Sequence, residues 1–486
     1  MKGDDDMLIN IEYSTKPVEV TSRVSEVAEA FGIGVDNAIV HTILKDYEFK
    51  DDFEVCYITG CSGSGKSSLL RVLKEQYGYD DLGLQQVMNE DKALIDLIGQ
   101  DTKEAIGLLS ICGLAEAKLF VKRPHELSDG QKYRFQLAWL LDQKRSMIMI
   151  DEFTSFLDRT TATVVAFNIQ KICRRNNIKL IVATAHNDLE EFLKPDVKID
   201  FKTGDGVETT YNTVEDSNPF IQHLTIEEAT KQDFSDFIKY HYKNIKAVPG
   251  QKKMYKLMYK DRAIGLAVYA VASRMLSGRN TYFNKHYMSP KGYPLMDKVN
   301  SDFISASRFI IHPQYRGCGL GAWFTHETVK LMDEEFGKPF IEFSSVMAKY
   351  TPFLQKGGII DICDNESAKS KNDTQKVKDV LEKYGFSYDF LTSLDYCQQV
   401  IDTIPEKELR KAFRGRLRTA MFIRHGLDLD VAELDALELT PSLISEAKKG
   451  ETRYLLHINE NKCTQCPKCG RWHIKEDDCY FCGKEE

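Results

Sequence analysis

Gly60-Cys61-Ser62-Gly63-Ser64-Gly65-Lys66-Ser67 is the stretch that decides how this chain folds. The residues before it, Glu54-Val-Cys-Tyr-Ile-Thr59, predict a buried strand, and Ser67 to Leu73 read as the start of a helix. A glycine-rich turn between strand and helix wraps backbone N–H groups around phosphates, and the helix N-terminus adds its positive end. Lys66 is therefore expected to reach the β- and γ-phosphates of a nucleotide, and Ser67 to offer its hydroxyl to Mg²⁺. Ser68, on the first turn of the helix, completes the expected cradle.

Further along, Ser146-Met-Ile-Met-Ile150 predicts an apolar strand ending in Asp151-Glu152. A carboxylate at the C-terminal edge of a neighbouring parallel strand is the expected Mg²⁺ partner, which is Asp151 here. Glu152, one position on, is placed to polarise an attacking water. Three more groups follow the phosphate loop: Leu127-Ser128-Asp129-Gly130-Gln131, Ser155-Phe156-Leu157-Asp158, and His186 after Ile181-Val-Ala-Thr-Ala185.

In that order, residues 50–200 resemble the ATP-binding-cassette (ABC) family. The resemblance makes Gly60–Ser67 the Walker A loop, Leu127–Gln131 the signature, and Met147–Glu152 the Walker B strand with its catalytic glutamate. Ser155–Asp158 becomes the D-loop and His186 the switch histidine, which with Lys66 and Glu152 completes the implied catalytic set. Gln85 or Gln86 is the Q-loop candidate, Gln86 being carried forward, and Tyr47 or Phe49 is the candidate for stacking on adenine. In this family Ser128 and Gly130 contact the γ-phosphate held by the opposite cassette. One cassette per chain therefore implies a homodimer or a cassette-bearing partner. The segment from Lys66 to Ser128 is short for the family and implies a small helical subdomain.

At 486 residues the chain exceeds one core and suits two or three domains. With 42% hydrophobic and 28% charged residues, the composition is that of an ordinary soluble protein, and no apolar run has membrane-span length. The start, Met-Lys-Gly-Asp-Asp-Asp, lacks the apolar segment of a signal peptide. A cytoplasmic location is expected, with no membrane segment in this chain.

Seven of the twelve cysteines stand singly, and five crowd into the last two dozen residues. Without a secretion signal, that distribution speaks for a reducing compartment rather than disulfides. Cys466/Cys469 and Cys479/Cys482 form two C-x-x-C knuckles, each followed by glycine, and four thiolates at this spacing predict a tetrahedral Zn²⁺ ribbon. Cys463 is a spare for the first pair, and His473 is a further candidate ligand.

A second chemistry lies between these ends. Asp196 to Asn218 is polar and turn-rich, Ile226 to Lys243 reads as a helix, and Met254–Tyr259 and Ile264–Val271 read as strands. Ala306 to Pro313 then feeds Arg316-Gly317-Cys318-Gly319-Leu320-Gly321, with a helix from Ala322 to Met332 and a strand at Pro339–Ser345. Strand, R-G-x-G-x-G and helix make a second anion cradle. In this element order, residues 220–390 resemble the GNAT acyltransferase superfamily, in which the loop binds the pyrophosphate of acyl-coenzyme A. The resemblance places acetyl-CoA or another acyl-CoA against Ile310, Ile311, Arg316, Gly317, Gly319, Leu320 and Gly321. Leu354 stands where many GNAT enzymes have a tyrosine acid. Tyr350 is the candidate substitute, Glu342 the candidate base, and Ser307 and His312 further candidates for the cleft.

Lys407, Arg410, Lys411, Arg414, Arg416, Arg418 and Arg424 crowd one helical stretch that either tracks nucleic-acid phosphates or is a salt-bridged surface. The expected fold class is α/β: an ABC-type P-loop domain (1–205), a linker (206–220), an α+β GNAT-like domain (221–395), a helical basic segment (396–460) and a zinc ribbon (461–486). The expected function is an ATP-hydrolysing ABC ATPase coupled to acyl-CoA-dependent N-acyl transfer, onto a nucleic-acid base in the manner of the Mom-type relatives or onto protein. The alternatives are an ATP-switched binding protein with a non-catalytic GNAT-like module, and the ATPase subunit of a transporter.

Overall fold

The computed structural model describes residues 7–14, 19–35, 40–80, 83–202, 206–241, 248–421, 427–448 and 451–482. The chain's first six residues and Arg424 of the basic stretch lie outside the described residues.

An antiparallel hairpin of β1 (Met7–Ser14) and β2 (Val40–Phe49) opens the chain, with helix α1 (Ser22–Phe31) between its strands. Next come β3 (Val55–Gly60), α2 (Lys66–Gln76), α3 (Leu84–Met88), α4 (Leu94–Leu97), α5 (Thr102–Ile111) and α6 (Ala117–Phe120). Then follow α7 (Asp129–Asp142), β4 (Met147–Ile150), α8 (Arg159–Arg175), β5 (Lys179–Ala183), α9 (Glu190–Leu193), β6 (Val197–Lys202) and β7 (Gly206–Tyr211). The sheet order is β4-β5-β3-β6-β7, parallel except for β7.

Strands β3, β4 and β5 are near-continuous apolar runs because both faces of a parallel sheet are covered. Leu109, Phe135, Ile148 and Val165 meet in the core on one face, and Phe49, Leu69, Leu73 and Ile181 in the core on the other. Two expectations need correction here. β5 lies between the two motif-bearing strands, so β4 is not the neighbour of β3. The predicted linker begins with β7, which pairs with β6 along its whole length.

The second sheet draws on β8 (Leu224–Glu228), β9 (Gln251–Tyr259), β10 (Arg262–Val271), β11 (Phe303–Ile311), β12 (Phe340–Ser345) and β13 (Ile360–Asp364). Between these strands lie α10 (Lys231–Ile238), α11 (Ser277–Tyr282), α12 (Met296–Asp302), α13 (Leu320–Phe336) and α14 (Phe353–Lys356). Five helices follow: α15 (Ala368–Lys383), α16 (Leu394–Thr403), α17 (Glu406–Ala420), α18 (Val431–Ala436) and α19 (Pro441–Ala447). They lead to β14 (Arg453–Ile458), β15 (Cys463–Gln465) and β16 (Trp472–Ile474).

The strand order is β13-β14-β12-β11-β10-β9-β8. Only β11 and β12 are parallel, over Phe303–Ala306 and Phe340–Phe343, and α13 makes the crossover between them. β14 sits between β12 and β13, so a domain ending at 395 cuts through the sheet. The helical segment is an insertion between two sheet strands, with its own core of Val377, Leu381, Phe413, Leu417 and Ile444.

The two sheets are joined by a shared core. Val164 and Phe167 of α8 pack with Phe220, Leu257 and Tyr315, and the Phe167 and Phe220 rings lie 5.7 Å apart, edge to face. Among the described residues no helix is long and apolar enough to cross a membrane.

Candidate active site

The phosphate loop leaves β3 and enters α2 through Gly65, whose φ of 109° suits glycine alone. A Cβ at Gly65 would lie 2.3 Å from the Ile43 methyl of β2, so the hairpin closes over the loop and sets its shape. The Lys66 ammonium donates to the carbonyls of Gly60 (2.8 Å) and Cys61 (2.6 Å) and is buried inside the loop. Ser64 Oγ is buried without a partner, an orphaned donor within the loop. That arrangement fits a phosphate. Ser67 and Asp151, both exposed, offer hydroxyl and carboxylate oxygens, the donor set of a hard divalent cation such as Mg²⁺. Cys61, Ser62 and Gly63 are exposed at the rim, with Ser68 half-buried on α2.

The C-terminal ends of β3, β5 and β4 are cross-linked there. Tyr57 donates its hydroxyl to the His186 carbonyl, His186 N–H donates to Thr184 Oγ1 (3.2 Å), and Phe153 N–H donates to the Ala183 carbonyl (2.8 Å). Glu152 and Thr154 both hold positive φ, 49° and 65°, which is costly for such side chains. Tyr133 holds this turn. Its buried hydroxyl accepts the Thr154 N–H at 2.9 Å, and its ring packs on Phe156. Tyr133 belongs to α7, whose N-cap is Ser128 in a capping box with Gln131. Gly130 lies against the Phe156 carbonyl, so the start of α7 and the turn through Phe156 form a single packed unit. Glu152 is exposed, and its Oε2 accepts from Ser155 Oγ at 2.7 Å.

Asp158 caps α8 through Thr161 N–H (3.0 Å) and Thr161 Oγ1 (2.6 Å). Burial alone would raise its carboxyl, but Thr161 and the Gln314 amide outweigh it and hold the group below its ordinary value. Sequence reading missed Tyr133, Thr154 and Gln314. Tyr133 stood two residues past the signature, but nothing local marks a tyrosine as an anchor for a distant turn.

The remaining candidates divide. Gln85 and Gln86 are exposed on α3. Phe49 is 1% exposed and packs edge to face on Phe53, so its ring is part of the core and closed to adenine. Tyr47 is half-buried, with its hydroxyl 2.8 Å from Thr209 Oγ1 of β7.

The second loop tells a different story from the first. Arg316 does not project toward a ligand. Its guanidinium donates to the carbonyls of Ile311 (2.8 Å), Ala115 (2.6 Å) and Tyr240 (3.1 Å), tying the loop to the cassette. Gly317 comes so close to α8 that a Cβ there would lie 2.5 Å from the Asn168 amide nitrogen. Asn168 also donates to the Ile111 carbonyl (2.9 Å), and Gln314 Nε2 donates to the Asp158 carboxylate (3.2 Å). Ile310 and Leu320 are core side chains and Ile311 is half-buried, whereas Gly317 and Gly319 are exposed at the N-terminus of α13 and Gly321 lies beside Phe353. The Arg316 side chain, held by three carbonyls, is not the part of this loop that could meet an anion.

Glu342 stands corrected as a general base. It is 0% exposed, and both carboxylate oxygens lie 3.2 Å from Nη1 of Arg279, itself 1% exposed on α11. Ser273 N–H and the Tyr454 hydroxyl also reach it. Burial pushes the Glu342 carboxyl up, to about 7, against the pull of Arg279. Tyr350 is half-buried after a short 3₁₀ turn, and Leu354 is core. Ser307 is half-buried on β11, and His312 packs edge to face on Tyr240.

The basic stretch is salt-bridged. Arg410 pairs with Glu406, Arg414 with Asp435 and Arg418 with Asp428, while buried Arg416 donates to the Ala447 carbonyl. Lys407 and Lys411 are exposed on the same helix.

No protein-family model matches the chain. It is similar to the methionine import ATP-binding protein MetN of Clostridium tetani, 28% identical over 201 residues, covering 33% of this chain and 60% of that protein. It is also similar to the phosphonates import ATP-binding protein PhnC 2 of Halalkalibacterium halodurans, 37% identical over 82 residues, covering 17% and 33%. This chain contains a region similar to ABC ATP-binding proteins. The chain spans less than two thirds of the length of these relatives. Among solved structures, a dimeric bacterial ABC transporter cassette aligns over 36% of this chain and 92% of its own, at 20% identity and a TM-score of 0.28. The similarity to these relatives covers 33% of this chain or less, and the second sheet and the cysteine ribbon are read from their own geometry.

Proposed function

We propose that the chain is an ATP-hydrolysing ABC ATPase that works as a homodimer of cassettes and passes its nucleotide state to an acyl-CoA-binding second domain. The observation that carries the coupling is the Gln314–Asp158 contact, which joins the D-loop directly to the second loop. In this reading the loop N–H groups and Lys66 hold the triphosphate, while Ser67 and Asp151 hold Mg²⁺, which neutralises charge on the transferring phosphoryl group. Glu152 orients and deprotonates the attacking water, with His186 beside it at the end of β5. Ser128, exposed, and Gly130, half-buried, at the start of α7, close on the nucleotide of the second cassette.

Glu152→Gln keeps the shape of the site but removes the base. The variant is expected to bind ATP, accumulate as a dimer on gel filtration and release no phosphate. Phosphate release at the wild-type rate would sink the assignment of Glu152.

For the second domain, the exposed glycines Gly317 and Gly319, between a parallel strand and the N-terminus of α13, support coenzyme binding. The sealing of Glu342 by Arg279 favours a recognition role over acyl transfer in the state described. Titration of acetyl-CoA into the full chain, followed by calorimetry, tests both. Binding with acyl turnover supports the transferase, binding without turnover supports the recognition module, and no binding overturns the coenzyme reading.

A further inference from the structure

Cys466, Cys469, Cys479 and Cys482 converge where the β15–β16 hairpin meets the chain's last turn, with all four Sγ atoms within 4.8 Å of one another. Cys466 and Cys482 Sγ are 3.7 Å apart, and Cys469 and Cys479 Sγ are 3.6 Å apart. Those spacings are far too long for disulfides, whose S–S bond is about 2.05 Å. They match the edge of a thiolate tetrahedron, about 3.8 Å for Zn–S bonds of about 2.3 Å. Cys463 stands apart, buried with its Sγ 3.6 Å from the Pro339 carbonyl, and His473 Nδ1 faces the Ile474 carbonyl.

The two residues between the last ligands pack onto the segment spanning residues 272–302. The Tyr480 ring stacks on His286, with centroids 3.9 Å apart and planes at 26°, and Phe481 meets Tyr282 at 5.7 Å. Inside this segment Asn284 and Lys285 hold successive positive φ values, 46° and 60°, a backbone that persists only where its surroundings impose it. The same segment carries Arg279, which lies over Glu342, and its Phe283 and Tyr287 pack on Phe303 and Phe340 of the sheet.

We infer that the four cysteines bind one Zn²⁺ and that this ribbon is a clasp, holding the 272–302 segment closed over the buried Arg279–Glu342 pair. Zinc fixes the Cys479–Cys482 turn. That turn aims Tyr480 and Phe481, and their rings pin Tyr282 and His286 on the segment that bears Arg279. The clasp is independent of any reading of the ATP site.

Metal analysis of the full chain, purified with reduced thiols, should find about one zinc per chain. Cys479→Ser should lose it and Cys463→Ser should keep it. Limited trypsinolysis then reads the clasp at Lys285 and Lys291, both exposed within the segment. Chelation should raise cleavage there at least tenfold, and Tyr480→Ala should do so while retaining zinc. The tyrosine variant separates loss of the clasp from unfolding of the ribbon. A chain without zinc overturns the site. Zinc with unchanged cleavage in both the chelated protein and Tyr480→Ala overturns the clasp.

Discussion

Tyr133→Phe removes one oxygen atom and leaves the ring on Phe156 in place. The lost hydroxyl is the acceptor for the Thr154 N–H, at 2.9 Å in the buried turn that follows Asp151 and Glu152. A buried N–H left unpaired costs about 1–3 kcal/mol. The turn also carries two non-glycine residues at positive φ, each of order 1–3 kcal/mol of strain, and these need an external restraint. Phe153 N–H to Ala183 remains, but it fixes only the start of the turn. Losing the second anchor should let the Glu152 carboxylate wander between conformations. If about 1.4–2.8 kcal/mol of that restraint acts in the transition state, kcat for ATP falls roughly 10- to 100-fold. KM for ATP should hold, because the phosphate loop is built on β3, α2 and Ile43, which the substitution does not touch. Steady-state phosphate release gives the split, and a thermal melt gives the stability loss. A kcat within twofold of wild type, alongside a lowered melting temperature, would falsify the positioning role and leave Tyr133 as packing alone.

Two further outcomes follow from the domain junction. Gln314→Ala should leave ATP binding intact but abolish any nucleotide-dependent change in amide exchange across residues 312–321, since it removes the direct bond to the D-loop. An undiminished change would place the coupling elsewhere. His312 is held down to about 4 by burial first, then by Arg262, Arg316 and Lys239. It is therefore neutral in the folded chain and takes up a proton on unfolding below about pH 6.5, so it costs stability as pH falls from there toward 4. His312→Gln should flatten that part of the melting-temperature profile, and an unchanged slope would mean that other groups carry it.

The cassette was legible because each of its motifs is contiguous and sits where a strand meets a helix or a helix begins. Gly60–Ser67, Leu127–Gln131 and Met147–Glu152 each describe their own local geometry. What was not legible is what depends on distant packing. The position of β5 between β3 and β4 leaves no trace in the apolar runs, since all three strands are buried on both faces. Ile226 opens a stretch whose composition suits a helix, but Leu224–Glu228 pairs with β9, and the helix begins only after Thr230 caps it. Arg316 looked like a phosphate ligand because its loop has the right glycines. The carbonyl of Ala115, two hundred residues upstream, claims it instead. Glu342 is a similar case, a carboxylate on a strand whose partner Arg279 lies in a segment with no motif.

The place of β14 has a consequence for how the protein is made. β12 ends at Ser345 and waits for Arg453–Ile458 to cover its edge, roughly a hundred residues later. At about 5–20 residues per second, the ribosome takes on the order of 5–20 s to deliver that strand. Through this interval the nascent chain presents an open edge at β12, and β13 has no neighbour, the condition under which strands recruit foreign chains. The helical insertion, having a core of its own, can condense during the wait and shorten the tether that β14 must cross. Slow decoding across residues 368–447 would lengthen the exposure, and a chaperone that shields strand edges would matter most in that window.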